Sequence, residues 1–181
     1  RPGPNPFSVT AEVAATGGHS RLAWRWIARD VTRVPTLALT GQTRPVPAQM
    51  EAAVAARGGL IERQAGPDLI ARGRELAALV DRHDMVVLHV HPSDVVSGLA
   101  LADRRGRPPV LLVNHADHCF WLGPGVPDMV VSTRRAASRL STRRRGVAGD
   151  RVAELAVPTD LAGRGRSRSR ARAILGVPDD A

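Results

Sequence analysis

The chain has 181 residues, 43% hydrophobic, 24% charged and 3% aromatic, which suits one packed domain and leaves no room for a second full one. No apolar run reaches the roughly 18 to 20 residues of a membrane-spanning helix, and the N-terminus lacks the apolar stretch of a signal peptide. The single cysteine, Cys119, excludes an internal disulfide and a cysteine-based zinc site. Together these features predict a soluble, cytoplasmic protein.

The net charge of +9 is concentrated in one part of the chain. Residues 134–172 hold 12 Arg against three acids, whereas 14 Arg and 14 acids cancel elsewhere. Every basic residue is Arg and none is Lys, a bias that looks genomic, so the surplus is weak support for phosphate recognition. A non-enzymatic nucleic-acid-binding module is therefore kept only as an alternative, and a nucleic-acid partner is not expected.

Short β-branched runs alternate with helical stretches along the chain, a pattern typical of βαβ units and a parallel sheet. The predicted strands are 6–13, 34–40, 60–62, 84–90, 109–113, 127–132 and 152–157. The predicted helices are 19–32, 47–57, 67–81, 93–104 and 134–144. The sequence thus predicts an α/β fold: an open parallel sheet of about seven strands with helices on both faces.

The character of the sequence changes after Pro158. Residues 161–170 show no apolar periodicity and are predicted to be a linker. Residues 171–175 are predicted to begin a new helix that ends at Gly176. This pattern predicts one domain over residues 1–160, followed by a linker and the start of a further domain over residues 161–181.

Ligands of open parallel sheets bind beyond the carboxyl ends of the strands, where the strand order reverses. With strand order 3-2-1-4-5, the loops after strands one, four and five converge. These loops hold four of the six histidines, namely His19, His91, His115 and His118. The sequence therefore predicts a histidine-lined crevice at this edge of the sheet.

Gly17 and Gly18 form the turn between the first strand and the first helix. A glycine pair lets the backbone approach a ligand closely, and the free amides of a helix start favour an anion such as phosphate. Glycines in such a turn are equally often present only to allow a positive φ. Both interpretations stay open on the sequence alone.

Asn114–His118 is the densest polar cluster and directly follows a buried strand. Histidine can accept a proton from a substrate hydroxyl near neutral pH, and Asp117 could orient either imidazole of the cluster. The alternative is that both histidines only cap the apolar segment 119–122. Substrate handling is the favoured interpretation.

His89–Asp94 admits two interpretations. His89 and His91 share a face of a strand and could ligate a metal with Asp94 or His115, which would indicate a metal-dependent hydrolase. Alternatively, His89 is a buried neutral histidine with a backbone partner, and Asp94 or Ser93 caps the next helix. The second interpretation is favoured, and no metal site is predicted.

Taken together, the motifs resemble the N-terminal half of a GT-B glycosyltransferase of the large retaining group, similar to glycosyltransferase family 4, with a Rossmann-like sheet. The resemblance runs from about residue 10 to the end of the chain. Residues 171–178 resemble the segment that opens the second Rossmann-like domain of such enzymes. The motifs that carry the resemblance are Thr16–Arg21, His89–Asp94, Asn114–His118 with Phe120–Gly123, and Val157–Asp160.

The resemblance implies transfer of a sugar from a nucleotide-sugar donor to an acceptor hydroxyl, with retention at the anomeric carbon. It implies that this half binds mainly the acceptor, a small molecule or a glycan, and that a C-terminal domain binds the nucleotide. His115 corresponds to the catalytic histidine at the reacting sugar, and Gly17 and Gly18 to the turn that faces the donor diphosphate. The other residues expected to bind substrate are His19, His91, Asp94, Asn114 and His118.

The donor-binding domain that the resemblance implies is not among the 181 residues, and the sequence leaves open whether the chain is a fragment or natively short. The isolated chain is therefore expected to bind acceptor weakly and to turn over nothing. The resemblance implies no cofactor in this domain, and the nucleotide-diphosphate sugar is a donor substrate.

Overall fold

A computed structural model of the chain describes residues 5–157 and 167–178 and contains one parallel sheet with the strand order β3-β2-β1-β4-β5-β6-β7. The strands are β1 (Pro6–Thr10), β2 (Thr36–Leu39), β3 (Leu60–Arg63), β4 (Met85–Leu88), β5 (Val110–Asn114), β6 (Met129–Ser132) and β7 (Val152–Glu154). The predicted α/β fold is confirmed, and the observed order contains 3-2-1-4-5, the order on which the expected convergence of the loops depended.

The position of each strand in the sheet explains its composition. All five residues of β1 are buried because β1 lies in the interior of the sheet, between β2 and β4. The edge strand β3 has no buried residue, which agrees with its charged members Glu62 and Arg63. The chain winds outward from β1 to β3 and then returns to place β4 beside β1, so the strand order reverses between β1 and β4.

Helices cover both faces of the sheet, as predicted. The helices are α1 (Gly18–Arg29), α2 (Ala48–Ala55), α3 (Leu69–Val80), α4 (Val95–Leu101), α5 (Arg135–Arg145) and α6 (Arg168–Leu175). Ile27 of α1 and Met50 of α2 pack in one apolar cluster, and Leu76 of α3 packs with Phe7 in the other. No helix in the described ranges is long and apolar enough to cross a membrane.

The amino-terminal edge of the sheet is held by the carboxylate of Asp128. It accepts hydrogen bonds from the amide of Val110 at 2.9 Å and from Nη1 of Arg107 at 2.7 Å. Arg104 pairs with the same carboxylate. Asp128 therefore joins the start of β5, the start of β6 and the segment after α4.

Most predicted boundaries differ from the structure by a few residues, and the end of β1 and the start of α6 have local causes. β1 ends at Thr10 and not at residue 13, because the chain bends at Ala11 and Glu12 follows outside the strand. A charged residue in the middle of a buried strand would lose its hydration. α6 begins at Arg168, with the Ser167 hydroxyl accepting from the amide of Arg170, so the end of the predicted linker is helical.

Residues 161–166 of that linker lie outside the described residues. The division of the chain into residues 1–160 and 161–181 stays a prediction.

Candidate active site

Three of the predicted histidines meet at the carboxyl edge of the sheet. The rings of His19 and His115 stack with centroids 4.3 Å apart and an angle of 11° between their planes. The ring of His91 lies edge-on to His115 at 6.4 Å. The loops after β1, β4 and β5 therefore converge, and we call the space that they border, with the turn at Gly17, the crevice.

His118 does not join these rings. Its side chain is 76% exposed, and its Nδ1 lies 3.9 Å from a carboxylate oxygen of Asp117. His118 lies in the turn beyond β5, where the chain no longer follows the strand direction that brings His115 to the edge. The rings of three of the four predicted histidines thus contact one another, whereas the ring of His118 is exposed and only contributes by repulsion to the lowered pKa of His115. The assignment of His118 to substrate binding stays a prediction.

His89 joins the group instead. It follows β4 directly, is fully buried, and contacts the indole of Trp26 edge to face at 5.6 Å. Its backbone carbonyl accepts a hydrogen bond from Nε2 of His19. Within the described residues neither ring nitrogen of His89 has a partner, so the prediction of a buried histidine is right, but its ring has no backbone partner.

Burial lowers the pKa values of the crevice imidazoles. Desolvation, with smaller repulsion from His19 and His115, lowers the pKa of His89 to about 3. Desolvation first, and then His19, lowers the pKa of His115 to about 4. The pKa of His19 is also lowered, mainly by burial. All three imidazoles are therefore neutral near pH 7.

The hydrogen bonds fix which nitrogen of each neutral ring carries the proton. Nδ1–H of His115 donates to the carbonyl of Val113 at 3.4 Å, so its Nε2 carries a lone pair. Nε2–H of His19 donates to the carbonyl of His89 and lies 3.3 Å from the hydroxyl of Thr10. His115 can thus accept a hydrogen bond or a proton from a hydroxyl group at Nε2.

The turn before α1 needs glycine at one of its two positions. Gly17 has φ 113° and ψ 152°, a backbone conformation that is nearly exclusive to glycine. No side chain caps α1, and a Cβ built on Gly18 would meet nothing within 4 Å. The first turn of α1 therefore presents backbone amides and open space beside His19, which suits an anion.

Gly17→Ala should lower the free energy of unfolding by about 1–3 kcal/mol, because alanine is strained in this conformation. The matched variant Gly18→Ala should leave it unchanged or raise it by up to about 1 kcal/mol, since alanine favours the helix that begins there. Urea denaturation of both variants measures the difference. Equal destabilisation would contradict the assignment of the backbone strain to Gly17.

Asp94 and Asn114 have structural partners. The carboxylate of Asp94 accepts from the amides of Val96 and Ser97 at 3.3 Å and so caps α4. The buried amide of Asn114 donates to the hydroxyl of Ser132 at 3.5 Å, and its Oδ1 has no partner within the described residues. Their roles in substrate binding stay predictions.

Asp117 does not orient an imidazole through a hydrogen bond. Its buried carboxylate binds Arg134 through Nη2 at 2.6 Å and Nε at 3.0 Å. Arg134 accordingly lowers the pKa of Asp117. The carboxylate is directed at the start of α5, and its 3.9 Å contact with His118 is longer than a hydrogen bond.

The sequence reasoning missed the contact between Trp26 and His89 and the role of Thr10. Trp26 follows His19 by seven residues, which places both side chains on one face of α1. Thr10 is the last residue of β1, the position from which a side chain reaches the carboxyl edge. The seven-residue spacing of His19 and Trp26, and the place of Thr10 at the end of the strand, could have been read from the sequence.

The metal alternative finds no geometric support. Within residues 5–157 and 167–178, no group of three His, Cys, Asp or Glu side chains is placed to hold an ion. The metal interpretation needs His89 and His91 on one face of a strand, but β4 ends at Leu88, before both residues. Nδ1 of His91 instead lies 2.9 Å from the Ser93 hydroxyl.

Solved structures define the fold class: the domain has the architecture of one half of a GT-B glycosyltransferase structure. Anabaena Alr3699/HepE, solved with UDP, is 11% identical at a TM-score of 0.64, over 95% of this chain and 50% of that chain. A glycosyltransferase from Rickettsia africae ESF-5 is 10% identical at a TM-score of 0.61, over 99% of this chain and 51% of its own.

The lipopolysaccharide outer core galactosyltransferase WaaB, in its apo form, is 9% identical at a TM-score of 0.59, over 88% of this chain and 47% of its own. The chain thus spans about half the length of these structures. No family model and no curated protein matches the chain. At these identities the likeness establishes the fold, and the neighbours support neither the metal-dependent hydrolase nor the nucleic-acid-binding alternative.

Proposed function

We propose that this chain is the acceptor-side domain of a glycosyltransferase that moves a sugar from a nucleotide-sugar donor to an acceptor hydroxyl. The observation that carries the proposal is the stacking of His19 on His115 beside the turn at Gly17, at the edge where the strand order reverses. This is the place where open α/β sheets bind ligands. In the proposed reaction the neutral rings would contact the sugar, and the free amides would bind the diphosphate.

The neutral state of the imidazoles suits this chemistry. Positive charge develops at the anomeric carbon during glycosyl transfer, as in the oxocarbenium-like transition states of glycosidases. A cationic side chain at that position would raise the energy of the transition state, whereas a neutral ring would not. Nε2 of His115 would hold a hydroxyl of the reacting sugar or accept its proton.

The donor diphosphate would lie at the start of α1. Backbone amides at a helix N-terminus bind phosphate oxygens, and Gly17 and Gly18 leave no side chain in the way. Anabaena HepE, which shares the fold, has been solved with UDP, with UDP-glucose, and with UDP and glucose. A second, donor-binding domain outside these 181 residues completes the proposed enzyme.

Four finer points belong to the same proposal. The transfer proceeds with retention, the enzyme resembles glycosyltransferase family 4, this domain holds no cofactor, and the enzyme works in the cytoplasm. The order of the motifs at Gly17, His91 and His115 supports the first three points, and the single cysteine, Cys119, supports the fourth. NMR of the product tests retention directly, because the anomeric configuration of the new bond must equal that of the donor.

The test of the proposed function is a donor assay on the full-length protein. Purified protein is incubated with a panel of UDP- and GDP-sugars and mixed glycan acceptors, and nucleoside diphosphate release and sugar incorporation are both measured. We expect release with at least one donor, and no release by the isolated 181-residue chain. Absence of both signals across the panel, from folded protein, would refute the proposal.

A further inference from the structure

A groove of about 430 Å³ lies beside the crevice, between the segment after β5 and helix α5. We call it the Arg144 groove, and its lining residues are Cys119, Phe120, Trp121, Pro124, Leu140, Arg144 and Arg145. It adjoins the crevice through Cys119, whose Sγ lies 3.9 Å from Nε2 of His91. A ligand in the groove would therefore extend towards His115, which lies next to His91.

One side of the groove is apolar. Phe120 lines the groove and is 83% exposed. Its neighbour Trp121, which also lines the groove, is buried. An exposed aromatic ring at a cavity offers a face on which a sugar ring or a hydrocarbon chain can pack. Pro124 and Leu140 continue this apolar surface.

The other side of the groove is positively charged. The guanidinium of Arg145 lies over the Trp121 ring at 4.4 Å and donates to the carbonyls of Asp117 and Cys119. Both acceptors are neutral carbonyls, so these bonds fix the position of Arg145; the Asp117 carboxylate also attracts Arg145 but forms its hydrogen bonds with Arg134. Arg144 is exposed and makes no hydrogen bond or ion pair with another residue that the structure describes.

No acidic residue lines the groove. The nearby carboxylate of Asp117 is already bound by Arg134. Arg144 and Arg145 therefore leave a local surplus of two positive charges, on a face that also carries an exposed aromatic ring. A phosphate group matches this arrangement, because it carries close to two negative charges and binds guanidinium groups through paired hydrogen bonds.

We propose that the Arg144 groove binds a phosphate group of the acceptor, with the ring or hydrocarbon that bears the phosphate packed on Phe120. The proposal rests on the proposed function and names the chemical class of its acceptor. A soluble sugar phosphate and the headgroup of a phospholipid share this chemistry. We therefore expect a ligand to bind in the groove only when it carries a phosphate group, and to bind more weakly when Arg144 is removed.

Binding to the 181-residue chain tests the proposal, measured by calorimetry with two matched pairs of probes. Glucose 6-phosphate is compared with glucose, and monomeric dihexanoyl phosphatidic acid with dihexanoylglycerol. We expect the phosphate-bearing member of at least one pair to bind more tightly than its neutral partner. Tighter binding of the sugar phosphate assigns a soluble acceptor, and tighter binding of the phospholipid assigns a lipid acceptor.

Arg144→Ala should weaken binding of the phosphate probe about tenfold or more, as loss of charge-assisted hydrogen bonds does. Arg139→Ala is the matched control, because it removes the same charge from the exposed face of the same helix outside the groove. This control should stay within about twofold of the unsubstituted chain, since only a screened surface charge is lost. Circular dichroism verifies that both variants are folded.

Equal weakening by both substitutions, or equal binding of the charged and neutral probes, would overturn the groove as a phosphate site. These measurements use no donor, so such a failure leaves sugar transfer untouched. Conversely, phosphate binding that depends on Arg144 in a protein without transferase activity would overturn the proposed function and leave the phosphate site in place.

Discussion

His115→Ala should lower the turnover of sugar transfer by the full-length protein about a hundredfold, within the range for groups that handle a proton or a hydroxyl in the transition state. Nε2 of His115 carries a free lone pair, and its Nδ1–H donates to the Val113 carbonyl. Steady-state kinetics with the donor identified in the panel measure the effect on kcat.

His83→Ala is the matched control for this substitution. His83 stacks on Phe7 at 4.6 Å, next to the start of β4 and away from the crevice. Its loss should leave kcat unchanged at temperatures well below unfolding. Turnover of His115→Ala close to that of the unsubstituted protein would remove the catalytic role from His115.

The pH profile gives an independent test of the neutral ring. Because the pKa of His115 is about 4, Nε2 keeps its lone pair down to about that pH, and protonation below it stops the reaction. Activity should therefore show no acid limb from this group between pH 8 and pH 5. A fall in kcat centred near pH 6.5, the ordinary pKa of histidine, would contradict the assignment.

The stability of the domain should fall steeply in acid because of His89. In the unfolded chain His89 takes up a proton near its ordinary pKa of about 6.5, whereas the folded protein holds its pKa at about 3. Between these values the unfolded state binds more protons, so stability is full above about pH 6.5 and declines by up to about 1.4 kcal/mol per pH unit as pH falls. The decline stops once the folded state is protonated as well.

His89→Leu should remove this part of the pH dependence. Leucine is close in volume, and the ring that it replaces makes no hydrogen bond with a described residue, so the variant should remain folded. Urea unfolding of both proteins at pH 7.5, 6 and 5 measures the slopes. An unchanged slope in His89→Leu would contradict the argument.

The parallel sheet was predictable because helix-length segments separate successive apolar runs, as parallel connections require. The strand order was only assumed, because neither this spacing nor the right-handedness of the connections decides where the chain reverses. The ends of the elements were not predictable either. Val13 is apolar and buried, yet it lies in the loop beyond β1 and packs against α1 and α2. Hydrophobicity alone does not separate a buried loop residue from a strand residue.

For the site, the sequence predicted which residues lie at the ends of the strands and no more. The sequence places His19, His91 and His115 at neighbouring strand ends, and the structure brings their rings together. It does not give the direction of a side chain within a turn. This is why the exposure of His118 and the pairing of Asp117 with Arg134 emerge only from the structure.

Asp128 and its arginines anchor the sheet at the edge opposite the crevice. The ion pairs of Asp128 thus lie at the amino-terminal edge of the sheet, and the histidine rings lie at its carboxyl edge. Under the proposed function, substitutions in the crevice and in the Arg144 groove should therefore change the choice of acceptor without disturbing the contacts of Asp128. We therefore expect substitutions that change specificity to cost little stability when they lie at the carboxyl edge.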